Sequence, residues 1–457
     1  MSASAPDPAP APAAPWRGID PAANMASALA AARSGDRSLA RAWLDPLLIA
    51  PRISREGRAS AYYLRGLMFY LDGLYVSAGQ DYRRALEFVP TLAEARNALA
   101  WLHLKGRGVN PDSGRAVALY RLAARQGHTE SRFNLALLLM KGTGTARAPR
   151  EALAWFEAAA DDGHVEAAAL AGQLLARGDA SSGLRADPDR ARPRLLAAAE
   201  AGHAGARLEL GMLLVRTEPV AAEAWLLAAA SQGVAAAQTR LGHLYDRGAE
   251  GVAVDRGKAL MWFREAAKQG DASAQSWLGW AYDAGVGVDP DPRQALRWYE
   301  RAARRDDAVA QLNLAQLYQS GRGTVRSAEQ ALYWFEQAAE QGELSALSGL
   351  AWLLATAPAA ELRDGPRAVQ LARQAVARDA SAQALDVLAA ALAETGQFDA
   401  AVDAQERAIR ALAAGSREDD PAAPRRDDRD GRADGTGLQA FVARLESYRT
   451  GHPWRAD

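Results

Sequence analysis

The chain has 457 residues, 49% of them hydrophobic. That length allows roughly two to four domains or one long array, and the composition supplies ample core. Lys and Arg number 54 against 55 Asp and Glu, a formal charge of −1 that lacks the basic excess of a nucleic-acid binder. Cysteine is absent, which excludes disulfides, thiolate metal sites and a cysteine nucleophile.

The start, MSASAPDPAPAPAAPWRGID, has neither a basic n-region nor an apolar h-region, so residues 1–20 read as a disordered Ala/Pro leader. No run approaches the ~20 apolar residues that span a bilayer. A cytoplasmic location is expected, and a periplasmic one only if the native start differs. Lysine occurs only at 105, 141, 258 and 268, an arginine skew that reads as GC-rich bacterial coding. Residues 21–58 contain two candidate helices within 22–50, interrupted by Ser34-Gly35-Asp36.

From residue 93 onward the chain repeats itself. Segment ends such as AARQGH, AADDGH and AAKQGD align on Gly127, Gly163, Gly202, Gly233, Gly270, Asp306 and Gly342, with spacings of 36, 39, 31, 37, 36 and 36 residues. Aromatic pairs recur at Trp155-Phe156, Trp262-Phe263, Trp298-Tyr299 and Trp334-Phe335. A small column runs through Ala100, Ala136, Gly172, Gly211, Gly242, Gly279, Ala315 and Ala351. Each unit reads as two helices. In the first, Ala274, Leu278, Ala281 and Tyr282 share one face of a 3.6-residue period. In the second, Ala295, Trp298, Tyr299 and Ala302 form the packing stripe. A hairpin this short cannot bury both faces alone, so units must stack and share a core. Eight units span 93–379, ending near 128, 164, 203, 234, 271, 307, 343 and 379.

The pattern A-x-A-Q-x-x-L-G-x-x-Y-x-x-G-x-G-V, followed by K/Q-A-L-x-W-F/Y-x-x-A-A-x-x-G, resembles the Sel-one-like repeat (SLR), a branch of the tetratricopeptide repeat superfamily. Units five to seven fit it almost position by position, whereas units three, four and eight are degenerate. The resemblance implies an all-α, right-handed α-solenoid of stacked helix-turn-helix repeats. The flanks resemble ordinary tetratricopeptide units. Residues 59–92 carry Tyr62, Gly66, Phe69, Tyr75, Ala78, Tyr82, Ala85 and Pro90, and residues 380–414 carry Leu385, Leu388, Ala389, Leu392, Phe398, Ala401 and Ala408.

Residues 415–437 hold twelve charges of mixed sign and read as a disordered linker. Beyond them Leu438, Phe441, Val442, Leu445 and Tyr448 form a helical stripe, expected to dock as a capping helix over 438–450.

Little in the sequence points to catalysis. Lys141-Gly142-Thr143-Gly144 has the raw material of a phosphate loop, but no strand precedes it. The same glycines recur at 106/108, 285/287 and 321/323, with Gly178 and Gly248 sharing the first column, where a left-handed residue closes a helix. His128, His164 and His203 follow the unit-closing glycine. Equivalent positions in stacked hairpins lie ~8–10 Å apart, whereas zinc ligand atoms sit ~2 Å from one ion. With Asp271, Asp307 and Glu343 in the same column, a helix-start role is expected. Pro193 should delay or kink its helix. No cofactor, metal, nucleic acid or membrane insertion is expected, and no enzyme.

In this superfamily the first helices line a concave surface. The resemblance projects Trp101, Asn134, Arg240, His243, Arg247, Trp277, Trp280, Asn313, Gln316 and Trp352 onto it. Asn134 and Asn313 match a position where tetratricopeptide domains use asparagine to hold a ligand backbone, but the basic pattern of a carboxylate clamp is missing. The implied role is a non-enzymatic scaffold or adaptor binding a protein or peptide partner. The alternative is an accessory protein of bacterial envelope or polysaccharide assembly.

Overall fold

The structure, a computed structural model, describes residues 20–415 and 436–456. The described residues form 23 α-helices and two short 3-10 turns, with no strand beyond two isolated bridges. Most of the expected leader (1–19) and linker (416–435) lies outside the described residues. Asp20, assigned to the leader, is instead the N-cap of the first helix, accepting from the Ala22 and Ala23 N–H groups.

Two compact units divide the chain at Thr217/Glu218. In the first, helices Pro21–Arg33 and Arg37–Ile49 precede four hairpins and a single helix, Ala204–Leu214. The hairpins are Arg55–Leu71 with Tyr75–Phe88, Ala93–Lys105 with Ser113–Arg125, Thr129–Lys141 with Pro149–Asp161, and Val165–Arg177 with Pro188–Glu200. The last runs through Pro193 from Pro188, so the expected late start does not occur. In the second unit, helix Pro219–Ala230 precedes five hairpins. They are Ala235–Arg247 with Arg256–Lys268, Ala272–Ala284 with Pro292–Ala303, Ala308–Ser320 with Ala328–Glu340, Leu344–Thr356 with Gly365–Arg378, and Ala382–Glu394 with Phe398–Gly415. Helix Thr436–Arg449 follows.

The small column exists because the partner helix presses a ring into it. A Cβ added at Gly242 would lie 2.7 Å from the Phe263 ring, and at Gly279 2.5 Å from that of Tyr299. Of each aromatic pair only the second member is core. Phe156, Phe263, Tyr299 and Phe335 are buried, each contributing about 1.5–3 kcal/mol. Their tryptophan neighbours, including Trp298 from the expected packing stripe, are half-buried.

Helix ends follow the turn chemistry. His128, His164 and His203 accept through Nδ1 from the N–H groups of Ser131, Ala167 and Ala206 at 3.0–3.1 Å. The Nε2 of His203 meets Glu166 at 2.9 Å, so that ring serves as a cap on one side and a tie to the preceding unit on the other. Asp271 and Asp307 cap in the same way, but Glu343 makes no side-chain cap bond. Gly142 closes its helix at φ 70, while a Cβ on Gly144 would stand 2.3 Å from Ser113 O. The first glycine makes the turn and the second lets the loop touch the preceding hairpin. Gly178 and Gly248 end their helices with ψ near 180 instead and lead into the two bridged loops. Asp306 is the only non-glycine residue with positive φ among the described residues, at 61.

Several successive hairpins are tied by the fourth residue of the first helix. In the first unit Arg132 Nε donates to Ala124 O of the previous hairpin at 3.3 Å, and its Nη1 pairs with Asp162. In the second unit Gln238 and Gln311 donate to Ala230 O and Ala303 O, each at 3.2 Å.

Candidate functional site

The expected groove residues occupy the sixth and ninth positions of the first helices. The sixth column contains Asn134, Arg240, Trp277 and Asn313, and the ninth contains Trp101, His243, Trp280, Gln316 and Trp352. Arg247 ends helix Ala235–Arg247.

In the second unit the first three hairpins carry seven of the expected residues. Arg240, Arg247 and Gln316 are exposed, whereas His243, Trp280 and Asn313 are half-buried. Trp277 departs from its expected place. It is 8% exposed, stacked 4.1 Å from the Phe263 ring at 19°, with its Nε1 reaching Asp246 at 3.4 Å. It supports Trp280 edge-on from beneath, at 5.5 Å between ring centroids. His243 lies edge-on to Phe263 at 4.9 Å. Burial, reinforced by Arg247 and Arg240, holds its pKa below the ordinary histidine value, so the ring is neutral at neutral pH. The side chains of Asn313, Gln316 and Arg240 hydrogen-bond nothing among the described residues.

Trp352 faces the chain's own C-terminal segment. Arg444 from helix Thr436–Arg449 lies over its ring at 5.4 Å and also over Trp454 at 5.9 Å. Arg444 donates to Asp386 at 2.7 Å, and Gln405 bonds the same carboxylate at 2.7 Å. Burial pushes the Asp386 carboxyl up against the pull of Arg444 and Gln405. Residues 450–456 then return across the first helices. Arg455 pairs with Glu394 at 2.6 Å, and the Ala456 N–H donates to Thr356 O at 3.0 Å. The docked helix buries Arg444, Leu445 and Tyr448 but leaves Leu438 and Val442 exposed, so only part of the expected apolar stripe is used.

In the first unit Trp101 is half-buried, edge-on to Tyr70 at 5.2 Å and under the Arg107 guanidinium at 5.2 Å. Asn134 is half-buried and makes no side-chain hydrogen bond among the described residues.

Sequence reasoning passed over one acidic column. Asp246 and Asp283 stand three residues beyond the ninth position, 37 residues apart, a repetition visible in the sequence. Asp283 pairs with Arg322 of the next hairpin at 2.6 Å, and burial raises its carboxyl pKa against that pairing. Among the described residues no group of three or more His, Asp or Glu side chains could hold a metal ion. Nor is any helix there long and apolar enough to cross a membrane.

Residues 59–88, 93–128, 129–164, 235–271, 272–307 and 308–343 match the Sel1 repeat family. The ends at 128, 164, 271, 307 and 343 coincide with the expected unit boundaries; degenerate units three and four fall between the matches and unit eight lies beyond the last one. The segment expected to be tetratricopeptide-like at 59–92 is matched as a Sel1 repeat. A Sel1 repeat protein from Oxalobacter formigenes, known from its crystal structure, is 29% identical over 64% of this chain and 85% of its own, with a TM-score of 0.54. The protective antigen c5321 of uropathogenic Escherichia coli, which displays an SLR fold, is 26% identical over 90% of this chain and 97% of its own, with a TM-score of 0.47. No curated protein matches the chain. Six segments of the chain are thus Sel1 repeats, five of them in register with the unit-closing column at 127, 163, 270, 306 and 342.

Proposed function

We propose that the chain is a non-enzymatic scaffold that holds a protein or peptide segment along its first helices. Sel1 and tetratricopeptide-like repeats generally mediate protein–protein interaction. The observation that carries the reading to particular residues is the state of the sixth and ninth columns. Arg240, Asn313 and Gln316 keep their hydrogen-bonding groups unused, whereas the fourth-column residues Gln238 and Gln311 spend theirs on the fold. Trp280, half-buried between them in sequence register, supplies the aromatic contact that anchors many interfaces. An extended segment laid across these helices would find amide groups for its backbone and an indole for one side chain. Tagged wild-type protein and a Trp280→Ala/Asn313→Ala variant should differ in affinity capture by about tenfold or more in recovered partner. Equal recovery by two equally folded proteins would remove these residues from the binding surface.

A further inference from the structure

The turn closing unit 272–307 departs from its neighbours twice. Adjacent units carry Gln269-Gly270 and Gln341-Gly342, whereas this one carries Arg305-Asp306. In the neighbours that glutamine fills a buried acceptor. Gln269 Nε2 donates to Gln238 Oε1 at 2.9 Å, and Gln341 Nε2 to Gln311 Oε1 at 2.8 Å. Gln275 is the equivalent amide, 4% exposed, with its Nε2 donating to Ala267 O at 3.1 Å. Its Oε1 is buried without a partner, and the Arg305 guanidinium lies against Gly270 instead. Buried acceptors are nearly always paired, so this one marks a missing donor.

The same amide lines a surface cavity of about 680 Å³, whose walls include Lys268, Trp298, Arg301, Arg304 and Arg305 and no carboxylate. Lys268 pairs with Glu265 at 2.6 Å, and Arg301 stacks over Trp298 at 4.7 Å. Arg304 and Arg305 pair with no acid among the described residues. A cavity of about 370 Å³ in the first unit shows the contrast, since its Arg190 and Arg194 are neutralised by Glu157 and Asp161.

We infer that this cavity receives an acidic segment of a protein partner. Carboxylates match guanidinium forks in geometry as well as charge. The Trp298 indole offers an apolar wall, and a backbone N–H next to an acidic side chain supplies the donor that Gln275 Oε1 lacks. A phosphodiester backbone brings the charge without that donor, and a chain of net charge −1 has no basic excess to extend such a contact. The inference shares the protein-binding reading but uses none of the first-helix residues named there, so either surface can fail without the other.

The test is fluorescence anisotropy of the full chain with a labelled peptide of alternating Glu and Gly, against its Gln/Gly counterpart. The acidic peptide should bind at least about tenfold more tightly. Arg304→Glu should weaken it by about tenfold or more. Arg305→Gln installs the glutamine that neighbouring units use to fill the acceptor. It should weaken binding by a similar factor without lowering the melting temperature, which separates loss of the site from loss of the fold. Equal affinity of wild type and Arg305→Gln would overturn the inference. So would full displacement of the peptide by inorganic phosphate, which would mark an unspecific anion site. Tighter binding of a single-stranded oligonucleotide than of the peptide would reassign the partner class and overturn it as well.

Discussion

In the amino-terminal unit Arg132 ties one hairpin to the last with a charge, and Asp162 answers that charge. In the carboxyl-terminal unit Gln238 and Gln311 make the equivalent tie with neutral amides, answered by Gln269 and Gln341. At these joints the fourth position sends an N–H to the final carbonyls of the preceding second helix, and the chemistry of the donor differs. In each of these joints the donor is itself answered from the end of its own unit. Arg132 meets an anion there, and Gln238 and Gln311 each meet another amide. Where the answering residue changes without the asker, as at Gln275 and Arg305, the joint is left open.

The largest effect should come from removing what both kinds of joint depend on, the close approach of the helices. Gly279→Val would drive a Cβ into the Tyr299 ring and should destabilise the protein by about 3 kcal/mol. Because solenoid stability is summed over neighbours, hydrogen exchange should quicken in 272–307 and the adjoining units. Unchanged exchange there would mean that the column is not a packing constraint. Gln311→Leu opens a neutral joint alone. It strands Ala303 O and the Gln341 amide and should cost about 2 kcal/mol in urea unfolding, whatever the salt. Arg132→Leu should cost about 1 kcal/mol or less, and the loss should shrink further at about 1 M salt, where ion pairs are screened. A salt-sensitive Gln311 or a salt-blind Arg132 would show that the two joints do not differ as their chemistry requires.

The repeat register was legible in the sequence because its glycines answer to local geometry. A left-handed turn and a contact too close for a Cβ leave few other residues possible, and both recur at fixed spacing. The site was legible only in part. Trp277 and Trp280 differ by three positions on one helix, which rotates them by about 60°. That rotation decides whether an indole stacks on Phe263 or stands half-exposed, and it depends on helix packing that spacing does not encode. Trp352 looked like its column-mates, but the group that covers it lies near residue 444, and no local pattern announces so distant a partner. Arg305 was visible as a break in the Gln-Gly motif. Its consequence appeared only with the unpaired oxygen of Gln275.

The Asp386–Arg444 pair has a consequence for synthesis. The acid sits in helix Ala382–Glu394, and the base that answers it comes 58 residues later. At roughly 5–20 residues per second a ribosome needs about 3–12 s to bridge that interval. Until then the final hairpin holds an acid that cannot be buried charged without cost, and the first helices of the last two hairpins lack the strap formed by Arg455 and Ala456. Earlier repeats can close as they emerge, each on the one before. The last one waits, and a nascent chain stalled before Arg444 presents that hairpin to proteases unlatched.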